Sequence, residues 1–295
     1  MPLMYNRRSF LIASTALAVS SACFARRLPS VAQERALRQC AELEARLNGR
    51  LGIFAFSGDS GWQLAYRADE RFALCSTFKL FLAAAILAQS RQSPGLLQQT
   101  VHYRAADLVS YSPVTARHVG VGMSVTALCA ATVQHSDNTA ANLLLRVLGG
   151  PERVTAFLRA CGDAVFRLDR WEPELNSAIP GDARDTSTPH AVGTSLHRLV
   201  LGEILPMDLR AQLRQWMLGS RTGALRIKAG IPPDWIIGDK TGTGQYGSAN
   251  DIAVLWPPGR RPLVLAVYTR QHRQQAAANE AVIAAAARIV VDSLG

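Results

Sequence analysis

Strand-like sequence sits at the two ends of this chain, and that constrains its fold more than any other feature. Near the front, "LGIFAFSGDSGWQLAYRAD" reads as two strands joined by a Gly-containing turn, a β-hairpin. Three further strand-like runs lie at the back: "DWIIGDKTG", "NDIAVLWP" and "PLVLAVYTR". Between them, from Ser76 to about Leu218, the texture is helical. Apolar periodicity recurs there around 76–89, 124–133, 137–148, 151–160 and 191–202, broken by Pro- and Gly-marked loops. A helix in "AQERALRQCAELEARLNGR" precedes the first strand and is stopped by Asn48-Gly49; another runs from about Gln275 to Leu294. Turn residues at Pro257-Pro258-Gly259 and within 242–247 favour antiparallel hairpins over βαβ crossovers. The expected fold is α/β of the α+β kind: a five-stranded antiparallel sheet with terminal helices, assembled from both chain ends, with an all-helical domain inserted between them. Residues 26–68 and 219–295 would form the α/β domain, and 69–218 the helical one.

The 295 residues are 48% hydrophobic, which suits a globular chain with a well-filled core. A net charge of +10 could suit nucleic acid or an acidic membrane surface. The arginines are scattered, however, with no Lys/Arg run, so an Arg-rich soluble surface is the reading and nucleic acid is not expected as a partner. The N-terminal "MPLMYNRRSFLIASTALAVSSACFA" has a basic start, an apolar stretch and then small residues. It reads as a signal peptide over 1–25, of twin-arginine type from "NRRSFL", and implies a periplasmic or secreted protein. Cys23 after Ser-Ser-Ala is a poor lipoprotein site. No other stretch is long and apolar enough to span a bilayer. Cys40, Cys75, Cys129 and Cys161 form no C-x-x-C pair, and the six histidines include no H-x-x-x-H, so neither zinc nor another metal is expected.

Lysine is rare: the chain holds Lys79, Lys228 and Lys240. A desolvated lysine can give up its proton near neutrality and act as a base, which arginine cannot. In "CSTFKLFLAAAILA", Ser76 and Lys79 are three apart at the start of an apolar run, so on a helix they share one face. The helix N-terminus would add backbone donors for an oxyanion. Taken alone, a capping Ser and a snorkelling Lys explain the pair as well. Ser136-Asp137-Asn138 precedes a helical run and would equally serve as an N-cap. Lys240-Thr241-Gly242-Thr243 ends an apolar strand, where a hairpin turn with a solvated Lys is the plain alternative.

Together, in the order S-x-x-K, S-D-N and K-T-G, the three motifs resemble the penicillin-recognising serine enzymes. The long Pro-rich stretch "RWEPELNSAIPGDARDTSTP" resembles the omega loop of class A β-lactamases within that superfamily. The resemblance spans about residues 30–293. It implies an active site between the two domains and hydrolysis of penicillins and cephalosporins, with no cofactor and no metal. Ser76 would be the nucleophile. Lys79, or Glu172 through water, would take its proton. Ser136 would pass a proton to the leaving nitrogen, and Glu172 would activate the deacylating water with help from Asn176. The N–H groups of Ser76 and Thr243 would form the oxyanion hole. Asn138 would hold the substrate side-chain amide, and Lys240, Thr241, Gly242 and Thr243 the carboxylate end. Tyr111 would be an aromatic wall at the mouth. An ion pair between Arg170 and Asp185 would close the omega loop over 170–185, and the Glu172–Pro173 peptide would be cis. The family expectation for the assembly is a monomer.

Departures bear on substrate range. Many class A enzymes place an arginine where this chain has Ala249, and Arg226 matches the alternative location for that guanidinium. Cys75 resembles carbapenem-hydrolysing members, but its bridging partner would fall at Gly244, so that bridge cannot form. The common class A disulfide is also absent, because Cys129 would face Ala83. A peptidase or a penicillin-binding sensor of the same fold would have no use for the complete "WEPELN" segment.

Overall fold

The computed structural model describes residues 30–58 and 61–294. The expected signal segment 1–25, with Cys23, lies outside them. The first helix, α1 (Val31–Leu47), opens with a capping box from Ser30 and Gln33 and stops at Asn48 in the left-handed region. The front hairpin follows as β1 (Gly49–Phe56) and β2 (Gln63–Tyr66). A two-residue strand, β3 (Phe72–Ala73), leads into a tight turn at Cys75–Thr77 and then α2 (Phe78–Ser90). Short strands β4 (Thr100–Val101) and β5 (Met123–Ser124) pair with each other. Helices α3 (Val125–Gln134), α4 (Asn138–Leu148) and α5 (Pro151–Ala160) come next. The short β6 (Thr186–Ser187) pairs antiparallel with β3. Then follow α6 (Pro189–Val200), α7 (Met207–Leu218), the back strands β7 (Ile236–Thr243), β8 (Ala249–Trp256) and β9 (Leu263–Gln271), and α8 (Glu280–Asp292).

The five long strands form one antiparallel sheet in the order β2-β1-β9-β8-β7, so the last strand in the chain is the central one. Its faces follow the period-2 alternation of a strand buried on both sides. Ile252, Val254, Val264, Ala266 and Tyr268 pack into a cluster with α2 through α7. Ala253, Leu255, Leu263, Leu265 and Val267 pack instead with α1 and α8. The site lies at the β7 edge of the sheet, where β7 meets the turn before α2.

Two helices differ from the pattern read in sequence. Helix α7 lies within the helical stretch but outside the five segments. It has no side-chain N-cap, and its buried stripe is narrow (Leu213, Trp216, Met217), so its periodicity is faint. The last helix begins at Glu280, five residues later than its composition suggests, because 272–279 form a loop tied to the β7–β8 turn by Tyr246 N to Gln274 O and folded back by Gln271 Nε2 to Ala277 O.

Candidate active site

Helix α2 is apolar on every side, with Phe78 through Leu87 all buried, and it runs through the middle of the helical cluster. A lysine at its second position is therefore desolvated by construction. Lys79 is 0% exposed, and its ammonium meets three acceptors: Ser136 O at 2.7 Å, Asn138 Oδ1 at 2.5 Å and Glu172 Oε1 at 3.0 Å. All three of its protons are thus used. Burial pushes its pKa below the usual lysine value, opposed first by Glu172 and then by Asp137.

Ser76 lies in the tight turn before α2, beside Cys75, which takes a left-handed backbone conformation (φ 45°). The turn is fixed from several sides. Asn250 Nδ2 donates to Ala73 O and Leu74 O, Leu74 N donates to Asp185 O, and Thr77 Oγ1 meets Tyr268 OH at 3.0 Å. Ser76 Oγ donates to Glu172 Oε1 at 3.3 Å. Ser76 and Lys79 therefore meet on one shared carboxylate oxygen.

Glu172 is 2% exposed. Asn142 on α4 brackets its backbone, accepting from Glu172 N and donating to Glu172 O. Its second oxygen, Oε2, accepts from Asn176 Nδ2, while Asn176 Oδ1 is buried with no protein partner. The peptide between Glu172 and Pro173 is cis. The loop that carries them is closed at its base: Arg170 Nε meets Asp185 Oδ2 at 2.5 Å, and Asp185 Oδ1 accepts from the backbone N–H groups of Asp169 and Arg170. Leu175 anchors the loop in the helical core.

In Ser136-Asp137-Asn138 the capping explanation holds for one residue of three. Asp137 is the N-cap of α4, and its carboxylate also receives Val114 N, Thr115 N and Thr115 Oγ1. Ser136 and Asn138 turn to the cleft instead. Ser136, at φ 57°, gives its carbonyl to Lys79 and its hydroxyl to Lys240 Nζ at 3.0 Å. Asn138 N donates to Tyr111 O and its Nδ2 to Ser110 O, which holds the Tyr111 loop against the cleft, with Tyr111 60% exposed.

The opposite wall is β7. Lys240 is fully buried; burial, then the neighbouring Lys79, push its pKa well below the ordinary value, against the pull of Asp239. Gly242 lets the strand lie against the turn at Cys75–Thr77, since a Cβ there would stand 2.9 Å from Leu74 O and 3.2 Å from Ser76 N. Arg226 is 4% exposed and reaches the end of the strand, donating to Gly242 O, Asn250 O and Thr243 Oγ1. Ala249 pairs with Thr243 across the ladder, so the guanidinium comes from the preceding turn rather than from β8. Its Nε is held by Glu280 Oε1 at 3.0 Å. Thr241 Oγ1 meets Thr222 Oγ1 at 2.6 Å. Cys75 and Cys129 are free thiols.

The result is a cavity of about 500 Å³ between β7 and the helical block. Of the twelve site residues read from the sequence, nine line it, and Lys79, Glu172 and Lys240 sit buried behind the lining. Sequence reasoning missed Asn142, Thr222 and Glu280. Asn142 had a signal, being four residues after Asn138 on the same face of a helix that is otherwise largely apolar. Thr222 and Glu280 had none, because their partners lie 19 and 54 residues away. Among the described residues no group of three or more His, Cys, Asp or Glu could hold a metal ion, and no helix is long and apolar enough to cross a membrane.

The profile of the family described as the beta-lactamase enzyme family matches residues 35–294. The chain is 56% identical over 256 residues to a carbapenem-hydrolyzing beta-lactamase KPC of Klebsiella oxytoca, covering 86% of this chain and 87% of that one. It is 51% identical over 265 residues to beta-lactamase CTX-M-8 of Citrobacter amalonaticus, covering 90% and 91%. A crystal structure of a beta-lactamase from Desulfarculus baarsii superposes with a TM-score of 0.88 at 58% identity, covering 89% of this chain and 98% of that one.

Proposed function

The chain belongs to the β-lactamase enzyme family, as a class A β-lactam hydrolase whose activity confers resistance, and from that premise we propose how its residues divide the work. Ser76 Oγ attacks the lactam carbonyl and forms an acyl-enzyme. Its proton leaves toward Glu172 Oε1, the oxygen to which it already donates, or toward Lys79 as Lys79 passes one of its own protons to that shared oxygen. The carbonyl oxygen gains charge between the N–H groups of Ser76 and Thr243. Ser136, bonded to both lysines, passes a proton to the leaving nitrogen. Water then enters between Glu172 and Asn176, where Glu172 removes its proton and it attacks the ester.

Lys240, Thr241, Gly242 and Thr243 hold the substrate carboxylate, and Arg226 braces that strand end through Gly242 and Thr243. Asn138 binds the side-chain amide and Tyr111 walls the mouth. The division into 26–68 with 219–295 and 69–218, and export through 1–25 to the periplasm or medium as a monomer, belong to the same reading. The reading covers penicillins and cephalosporins; Cys75 is a free thiol and faces Gly244, so no bridge braces the turn that carries Ser76.

The observation that carries this reading is the fully used Glu172 carboxylate beside the unpartnered Asn176 Oδ1: one oxygen serves Ser76 and Lys79, the other Asn176. Glu172→Gln should therefore lower penicillin turnover by about 10²–10⁴-fold. A stable adduct should accumulate on Ser76, read by mass spectrometry of the intact protein. Turnover at the wild-type rate would remove Glu172 from deacylation.

A further inference from the structure

The carboxylate end of the cleft carries a second guanidinium that the proposed mechanism does not use. Arg221 lines the 500 Å³ cavity beside Thr222, whose hydroxyl bonds Thr241. Its backbone is fixed: Arg221 N donates to Gln134 O at 2.9 Å, and Ser220 Oγ donates to Asp239 Oδ2 at 3.0 Å. Gly223 is packed so closely on Asp239 that a Cβ would stand 2.2 Å from Oδ2. The side chain, by contrast, is exposed and has no carboxylate partner among the described residues. Glu280, the one carboxylate that lines the cleft, is taken up by Arg226.

Beyond Arg221 the surface continues into a second cavity of about 240 Å³. Arg221 lines both, and Lys228 lines the second. The carboxylate there is Asp239, which is 4% exposed, already engaged by Ser220, and pushed by burial toward its protonated form. A positive track thus leads from Thr241 past Arg221 to Lys228, and among the described residues neither of these exposed cations makes an ion pair. Arginine suits carboxylate and sulfonate through its planar fork of donors.

We propose that Arg221 forms a second anion subsite, next to the one for the ring carboxylate, and that it favours β-lactams bearing an additional carboxylate or sulfonate on the substituent pointing toward the Thr241–Thr222 end. This rests on the assignment of that end to the ring carboxylate. The subsite acts in binding, so it changes KM and leaves the acyl chemistry at Ser76 alone.

Two cephalosporins sharing one acyl side chain test it, the first with a carboxylate- or sulfonate-bearing C3 substituent and the second with a neutral one of similar size. The quantity read is the ratio of their kcat/KM values. Arg221→Gln should lower the charged-to-neutral ratio about five- to tenfold, through KM. Arg221→Glu should lower it further, and high ionic strength should erase the difference between wild type and variants. A ratio unchanged by Arg221→Gln, or equal losses on both substrates, would overturn the subsite. Thr241→Ala is the companion variant. Both substrates keep the ring carboxylate, so it should weaken both alike, and if it weakens neither, the assignment of that end falls instead. Arg221 is exposed, and circular dichroism would verify that its variants fold.

Discussion

Lys79, Glu172 and Lys240 are the groups best placed to move protons or hold charge, and all three are sealed behind the wall of the cleft. The same burial acts on a carboxylate with no such task. Asp251 is 0% exposed; its Oδ2 accepts Ile227 N, its Oδ1 has no partner in the protein, and it pairs with Thr241, diagonal to Asp239 on the same face of the sheet. Burial, then Asp239, raise its pKa well above the ordinary carboxylate value, with Arg226 and Lys240 pulling the other way. An acid whose folded-state pKa is raised binds more protons folded than unfolded. Its stabilising contribution is whole below the unfolded value, about 4, and is lost as pH rises through the folded one. Asp251→Asn keeps an acceptor for Ile227 and removes that titration. Urea unfolding at pH 5 and pH 8 should show a smaller loss for the variant, which should be more stable than wild type at pH 8 by about 1–3 kcal/mol. Parallel behaviour of the two proteins would mean that Asp251 is not the group responsible. This residue is also an instance of what the sequence conceals. Ser76 and Lys79 advertise themselves by standing three apart in an apolar run, but nothing local to Asp251 marks it as buried beside a second acid.

At the scale of elements, the loop over 170–185 has little regular structure and is held by its base and its contacts. Asp185 receives two backbone N–H groups and Arg170, and it is itself inaccessible. Arg170→Ala leaves that carboxylate buried without its cation, at a cost of about 2–4 kcal/mol, discounted because Arg170 is partly exposed. Hydrogen exchange across 170–185 should quicken, and deacylation should slow more than acylation. If exchange is unchanged, the loop is held elsewhere. A further anchor is the β7–β8 turn, where Gln245 N donates to Asn176 O. Gly244 sits at that junction, and a Cβ there would stand 2.7 Å from Cys75 Sγ and 2.8 Å from Asn176 O. Gly244→Ala should cost about 1–3 kcal/mol in thermal or urea unfolding and impair deacylation. Adding Cys75→Ala should return part of the stability, a coupling that a double-mutant cycle measures directly. Stability unaffected by the alanine would mean that the turn yields freely. The motifs and the loop were legible because their residues lie close in sequence. The braces between elements, such as Asn142 to Glu172 and Arg226 to Glu280, were not, because only the packed fold brings them together.

For the molecule as a whole, the sheet was legible as five strands from both chain ends, and the antiparallel turns at 242–247 and 257–259 are where composition put them. Strand order was not. Hydrophobic alternation says which residues face a core, but the placement of β9 between β1 and β8 depends on how two sheet faces divide the helices. That arrangement sets α1 against α8, and because Gly49, just after α1, pairs with Gln271, just before the loop into α8, the outer ends of the two helices point the same way. Topologically the enzyme is a closed ring with a nick at one arbitrary point. A short linker from residue 294 back to residue 30 would mend the nick, and a new one could be cut in the exposed turn at 258–260. Such a circular permutant should fold and hydrolyse penicillin, whereas the linear chain ending at 258 lacks the central strand and should show no cooperative unfolding by circular dichroism. If the permutant fails to fold, the order in which the chain is made matters as well as its contacts. If it works, the start and finish of this polypeptide are an accident of where the ring was opened.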